Sequence, residues 1–513
     1  MSVELLKKQA AAPKAAEPVK PLRVVAILSL LHERPSVNSA TREFLGQRVL
    51  RLTASRVLRV RDDLQVAVAC WDDQLEAVEA AMGGIEFTRL RLGVRSESSA
   101  RDAVWAAGRW TDGWRSGPGD VSSFDRGWHG GAAVGALHAC GDVDAVMIVD
   151  ASAGLIDPAL LRKLIEQAER HEERGVVFLP AAPGLGAMIV RSSVVKELGN
   201  TGGHPGKALH YVPDYFAFDP IGTPAAAPVP TAVARSLRRY LLDSPEQISR
   251  MSTVEGVMEK SAEELVGAVG GMTPGAYPRD IRLELTTERA TRPVFLPHVA
   301  ERDVMPAEGY VALFDELAGI APGEWCPVRV TLGGLGDVML YEGLERVVEM
   351  ATQRGIPIAV ETDLVGCGTG RVEWLARSGV DLVMVQLPAA SREVYARVMG
   401  ADVHEEVLAN MTRFLLARGA TPGRGVAPGR IIAPWLIPVF TKLRENLAEM
   451  EDWYDHYLRA LGAAVIDGPA FAPHLAVAEM APPDRRPCRR LWSRLTVLAD
   501  GRVAPCELHA GAA

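Results

Sequence analysis

The chain is poor in cysteine, in aromatic residues and in long apolar runs, and it carries no excess of positive charge. Six cysteines (Cys70, Cys140, Cys326, Cys367, Cys488, Cys506) are scattered over 513 residues, which excludes the disulfide framework of a small secreted scaffold. Aromatics amount to 6%, so the cores have to be built from Val, Leu, Ile and Ala. Apolar runs such as 22–31 (LRVVAILSLL) fall far short of the roughly 20 residues of a membrane helix. Lys and Arg total 56 against 64 Asp and Glu, a net charge of −8. That balance lacks the electrostatic footprint of a nucleic-acid-binding or anionic-membrane-binding protein.

What is present is ordinary globular material: 48% hydrophobic and 23% charged residues, with 48 glycines and 34 prolines for many short connections. The length argues two to four domains. Residues 1–21 are Ala/Pro/Lys-rich without an apolar stretch before a cleavage site. A disordered tail, no signal peptide and a cytoplasmic location are therefore expected.

The pattern along the chain is α/β. Residues 22–220 read as a doubly wound parallel sheet. Its strands are 22–31, 64–71, 144–152 and 175–180, with helices at 45–60 and 73–82. A further helix is announced by Asp157-Pro158, an N-cap followed by proline at the first helical position. Residues 221–231 (IGTPAAAPVPT) read as a Pro/Ala linker, and 232–272 as helical segments joining two halves, so 221–275 is expected to be linking material. From 276 to 470 a strand–helix rhythm repeats six times, with strands at 281–286, 327–332, 357–363, 381–387, 430–438 and 463–467. Gly355, Gly379, Gly419 and Gly462 follow the intervening helices, as C′ glycines do. Six βα units argue a partial (β/α)6 TIM-like barrel. In the tail, 480–513, LTVLADGRVAPC signals a hairpin around Asp500-Gly501.

Several motifs carry chemistry. The first strand of the second half runs into LELTTERATRPVFLPH (283–298). TLGGLGDVML (331–340) follows the next strand, and GIPIAVETDL (355–364) the third. The fourth strand leads into a stretch with Tyr395 and Gly400. Cys488, Gly501 and Cys506 close the chain with a Gly-x4-Cys spacing. Taken in order, these segments resemble the radical S-adenosylmethionine (SAM) superfamily with a SPASM-type C-terminal region, over about 281–508. The resemblance implies a loop with Cys-x3-Cys-x2-Cys whose thiolates hold a 4Fe–4S cluster, the fourth iron being left open for SAM. Arg289, Pro293 and Leu296 stand at those three positions. The spacing is kept and the sulfurs are not.

The first half resembles nucleotide-diphospho-sugar transferases, especially sugar-nucleotide cytidylyltransferases. Its first loop, 29–47, has no glycine before Gly46. Asp150 stands where that resemblance implies Mg²⁺, with Ser152 in place of a second Asp.

The resemblance assigns the glycines Gly333, Gly334 and Gly336 with Asp337 to the SAM amino group, and adds Thr362 and Asp363 at the end of the third strand. The plainer reading of that loop is a tight turn. Cys488 and Cys506, with His509 and Glu507 beside them, are candidate metal ligands; the plainer reading is a packed hairpin with two free thiols. Cys367 is the one thiol at the correct end of a strand, too few for a cluster. His129 in the WHGG run reads as structural, and 484–490 (DRRPCRR) as a solvated basic cluster. The expected function is a cluster-less, non-catalytic binding or scaffolding member, with weak SAM binding and an intact homologous enzyme as partner. The alternative is an active enzyme. It would be a nucleotidyl or glycosyl transferase of surface-polysaccharide synthesis, or a barrel using unusual cluster ligation or the acids Glu361, Asp363 and Asp337.

Overall fold

The structure is a computed structural model that describes residues 21–95, 99–115, 117–141, 143–201, 203–209, 222–272, 275, 277–297, 303–322, 326–419, 433–468 and 493–505. The chain divides into two units, Met1–Thr273 with Pro428–Arg430, and Pro274–Ala427 with Ile431–Ala513. The expected tail at 1–21 lies, but for its last residue, outside the described residues.

The first unit is built on β1 (Val24–Ser29), β4 (Gln65–Cys70), β5 (Thr88–Arg91), β6 (Ala145–Asp150), β7 (Val176–Phe178) and β8 (Met188–Arg191), in the order β5-β4-β1-β6-β8-β7. A strand's side chains alternate between faces, and here both faces are apolar. Val24, Ala26 and Leu28 enter one core with Val66, Val68, Met147 and Val149. Val25 and Ile27 enter a second with Ala67, Ala69, Val146 and Ile148. Helices Val49–Leu58 and Pro158–Arg170 cover the first face, and Gly130–Ala139 and Ser192–Thr201 the second. This is why the strands read as unbroken apolar runs.

Three expectations are corrected here. β8 runs antiparallel to both β6 and β7, so the sheet is mixed. The segment before the first helix is a hairpin of β2 (Glu43–Phe44) and β3 (Gln47–Arg48), turned by Leu45 and Gly46 at φ +48° and +77°. The helix therefore starts at Val49 and not at 45. Residues 222–231 pair with the sheet, and the helical segments expected over 232–272 are Thr231–Ala234, Pro245–Ser252 and Ala262–Gly270. Phe178 donates its N–H to Ala225 O at 2.9 Å, and Ala227 donates to Phe178 O at 2.8 Å. Tyr240, Leu242, Met251, Leu265 and Val269 are buried in the first core. The proline-rich strip is held as an edge segment because its carbonyls and remaining N–H groups still pair.

The second unit contains β9 (Asp280–Leu283), β10 (Arg329–Leu332), β11 (Ile358–Thr362), β12 (Leu382–Gln386), β13 (Trp435–Thr441) and β14 (Val465–Asp467). Each is parallel to the next, with helices between them such as Ala307–Ile320, Leu344–Gln353 and His404–Ala417. Two further strands, β15 (Arg494–Val497) and β16 (Val503–Ala504), extend the sheet at β9: β15 is parallel to β9 and antiparallel to β16. The turn between them carries Gly501 at φ +85°. Joining the tail hairpin to the first strand of the unit is long-range pairing that the local pattern does not announce. Gly355, Gly419 and Gly462 take left-handed φ as expected. Gly379 does not; there a Cβ would stand 2.7 Å from Thr352 Oγ1, so close packing fixes the residue.

One face of this sheet packs Ile281, Leu283, Val330, Leu332, Val360 and Val383 into a single core. The intervening positions on the other face include Arg282, Glu284, Thr331 and Thr496, all less than 9% exposed. Among the described residues no helix is long and apolar enough to cross a membrane.

Candidate functional site

The C-terminal ends of β9, β10 and β11 bring together the loops that the sequence singles out. Arg289, in the loop after β9, lies against Asp363 just past β11. Its Nε donates to Asp363 Oδ2 at 2.8 Å, its Nη2 donates to Asp363 Oδ1, and its Nη1 donates to Leu335 O at 3.2 Å. The Thr291 hydroxyl donates to the same Asp363 Oδ2. The Arg289 side chain is 10% exposed and Asp363 is fully buried. This is a two-pronged, charge-assisted pair, the geometry in which guanidinium binds carboxylate most strongly. The loop is clamped from the other side as well: Arg292 and Val294 donate their N–H groups to Met399 O and Val398 O at 2.8 and 2.9 Å. Gly400, at φ +66°, permits that approach; a Cβ there would be 2.5 Å from Arg292 O.

Asp337 is 1% exposed. Its Oδ2 accepts from the Thr362 hydroxyl at 3.0 Å and from Asp363 N–H at 2.9 Å, and its Oδ1 caps the short helix Val338–Leu340 through Met339 N–H at 3.0 Å. Burial, reinforced by the neighbouring Asp363 charge, pushes its pKa up to about 6. The three glycines before it are fixed by contact and not by φ. A Cβ at Gly333 would stand 2.9 Å from Glu361 Cβ, at Gly334 2.5 Å from Glu284 Oε1, and at Gly336 2.0 Å from Thr286 O. The loop therefore lies directly on its neighbours.

Sequence reasoning reached Arg289, Gly333, Gly334, Gly336, Asp337, Thr362 and Asp363, and the structure brings these residues together. It missed Glu284, Arg282 and Thr291. Glu284, 3% exposed, accepts from Leu335 N–H at 2.7 Å and from Ala499 N–H at 3.1 Å, tying the glycine loop to the tail hairpin. Arg282 pairs with Glu361. Their signal was charge at alternate positions in an otherwise apolar strand, Arg282 and Glu284 between Ile281, Leu283 and Leu285. Tyr395, fully buried beside this network, has no hydrogen-bond partner for its hydroxyl among the described residues, and its ring lies 5.1 Å from that of His404.

The residues at 289, 293 and 296 do not fit a 4Fe–4S cluster, which is held by thiolates: they are a paired guanidinium, a buried proline and a leucine. Cys367 has its thiol pushed up to about 11 by burial. The glycine loop and Asp337, which the resemblance assigns to SAM, stand past the end of β10, and both carboxylate oxygens of Asp337 are already engaged. Cys488, Cys506, Glu507, His509 and the basic run 484–490 lie outside the described residues.

In the first unit, His129 Nδ1 accepts from Ala132 N–H at 3.1 Å as the cap of helix Gly130–Ala139, which is the structural role expected of it. Asp150 is held by Arg126 Nε at 2.9 Å and by the Ser152 hydroxyl at 2.6 Å. A cavity of about 690 Å³ lined by Arg377, Leu408, Arg413 and Leu416, and one of about 550 Å³ lined by Arg56, Arg59, Asp157 and Lys260, are separate from both strand-end clusters.

No family model matches the chain. An uncharacterized protein of Treponema pallidum is 25% identical over 251 residues, 46% of this chain and 66% of that one. A GTP 3',8-cyclase of Rhodococcus opacus is 28% identical over 145 residues, 27% of this chain and 40% of the cyclase. The chain thus spans less than two thirds of the length of either relative. Among solved structures, Streptococcus suis SuiB bound to S-adenosylmethionine matches at TM-score 0.36 and 9% identity, over 49% of this chain and 65% of SuiB. A cytidylyltransferase from Leptospira borgpetersenii matches at TM-score 0.32 and 12% identity, over 49% of this chain and 94% of that one.

Proposed function

We propose that the second unit is a radical-SAM-type domain that works without the barrel cluster, as a binding or scaffolding module beside a catalytically complete homologue. The observation that carries this reading is the Arg289–Asp363 pair. A cluster would need a thiolate at position 289; the residue there is a cation with its own buried counter-ion. The likeness of 145 residues to a GTP 3',8-cyclase accords with the family, and the order of the strand-end motifs supports it independently. A partial barrel with the SPASM-like hairpin at its first strand is the architecture this reading entails.

SAM binding on this reading is weak. An intact relative grips SAM through the open iron as well as the glycine loop, and only the loop remains here. Each 1.4 kcal/mol lost is tenfold in affinity, so loss of the chelate leaves binding at about the millimolar level or below detection. Two measurements test the proposal. Anaerobic reconstitution followed by iron and sulfide assay should yield no cluster dependent on the barrel; about four irons per chain, lost on replacing Cys367, would overturn it. Calorimetric titration with SAM should give millimolar or absent binding. Micromolar binding insensitive to Arg289→Ala and Asp337→Ala would show that the pocket lies elsewhere.

A further inference from the structure

A second strand-end cluster lies in the other unit and owes nothing to the barrel. The ends of β1 and β6 are neighbours in register, Ser29 opposite Asp150. The winding of the sheet reverses between them, β4 lying on one side and β6 on the other, which is where α/β sheets place their ligands. Here Arg126, from the short helix Ser123–Gly127, bridges two acids. Its Nε donates to Asp150 Oδ2 at 2.9 Å and its Nη2 to Asp243 Oδ2 at 2.9 Å. Arg239 also pairs with Asp243. Asp150 Oδ1 accepts from both the N–H and the hydroxyl of Ser152, at 2.9 and 2.6 Å. Trp105 underlies the Arg126 guanidinium at 5.4 Å and is itself stacked on His32 at 5.6 Å. Half-buried Glu33 and the Arg42 guanidinium complete the field around the cluster.

The sequence resemblance puts a divalent cation at Asp150, and the residues present do not fit one. A hard cation takes open carboxylate oxygens. Of the four aspartate oxygens only Asp243 Oδ1 lacks a partner among the described residues, and it is buried. Three carboxylates already face three guanidinium groups, so an added double charge meets uncompensated repulsion in a poorly screened setting. We infer that Arg126 is the resident cation of this cluster, bridging Asp150 and Asp243 as a divalent ion would, and that whatever the strand end binds is bound without a metal. Divalent-dependent nucleotidyl transfer through Asp150 is then closed to this unit.

The test uses the full chain, Mn²⁺ as the probe, electron paramagnetic resonance to count bound ion and thermal unfolding to read stabilisation. The parent should bind no Mn²⁺ at the cluster and show no shift in melting temperature. Arg126→Ala should gain bound Mn²⁺ that the parent lacks, and adding Asp150→Asn should abolish the gain. If Arg126→Ala is unstable, Mn²⁺ should raise its melting temperature and K⁺ should not. Two results overturn the inference: tight Mn²⁺ binding by the parent that Asp150→Asn removes, or an Arg126→Ala variant that Mn²⁺ neither binds nor stabilises.

Discussion

The two units bury their sheets differently. In the first, both faces of β1, β4 and β6 are apolar, and the charged side chains of the cluster gather only past the strand ends, where Arg126, Asp150 and Asp243 keep 11–17% exposure. In the second, one face is apolar and the other carries Arg282, Glu284 and Thr331 along the strands themselves, with Asp363 fully buried at the edge of that face. Each unit sets a guanidinium on strand-end acids. In the first the charge is shared among several partners of 11–17% exposure, and in the second it rests on one sealed pair. Electrostatic substitutions should therefore be tolerated in the first unit and not in the second.

The sharpest way to break this contrast is Arg289→Ala. It strands the Asp363 carboxylate without a cation and should destabilise the second unit by about 3–5 kcal/mol. Arg126→Ala, with Arg239 still on Asp243 and some solvent present, should cost about 2 kcal/mol or less. Denaturant unfolding, with hydrogen exchange read separately on β1/β6 and β10/β11 peptides, measures both. Equal losses in the two units would remove the distinction.

Next in size is Gly336→Ala. Its Cβ meets a backbone carbonyl carbon and oxygen that cannot swing away, and the substitution should cost about 1–3 kcal/mol. A variant with unchanged stability would mean that the glycine loop is free to move.

The pH dependence separates Asp337 from Asp243 by sign. Asp337 has its pKa raised to about 6 by burial and by the Asp363 charge. A raised acid favours the folded state while protonated, so its contribution is present below the unfolded pKa of about 3.9 and is lost as pH rises through about 6. Burial alone would raise the pKa of Asp243, but Arg239, Arg126 and Arg42 outweigh it and hold the carboxyl below the usual range. Its contribution is present above about pH 3.9 and is lost on further acidification. Between about pH 4 and pH 7, β10/β11 peptides should lose protection as pH rises, and Asp337→Asn should flatten that slope; the part of β1/β6 protection that Asp243→Asn removes should be lost only towards lower pH.

The smallest effect is a gain. Gly267 is an exposed interior residue of helix Ala262–Gly270, with open space where an added methyl group would stand. Gly267→Ala should stabilise the first unit by about 0.5–1 kcal/mol in a thermal melt. A loss would mean that this helix is not where its capping box, Ser261 with Glu264, places it.

Much of this was legible in the sequence because it is periodic or local. Continuous apolar runs marked β1, β4, β6 and β10–β12, Asp157-Pro158 marked a helix start, and the glycines at 355, 419 and 462 marked helix ends. The candidate site was legible as spacing: Arg289, the 333–337 loop and Thr362-Asp363 stand at successive strand ends. What was not legible depends on partners distant in sequence. Arg289 chose Asp363, 74 residues away, over the adjacent Glu288, because a carboxylate already sealed from water gains most from a cation. Residues 221–231 read as linker since their Pro/Ala composition shows no period, yet Phe178 of β7 pairs with Ala225 and Ala227.

The sequence by itself determined where β1, β4, β6, β7 and β9–β12 lie, that two α/β units follow one another, and that positions 289, 293 and 296 carry no sulfur. Residue identity and local hydrophobic period suffice for these, being properties of short segments. Only the tertiary structure decided that β8 runs against its neighbours, that β15 joins β9, that Glu284 ties the glycine loop to the tail, and that two arginines are locked onto buried or half-buried acids. Pairing and desolvation depend on which surfaces meet once the chain has folded, and no local pattern encodes that.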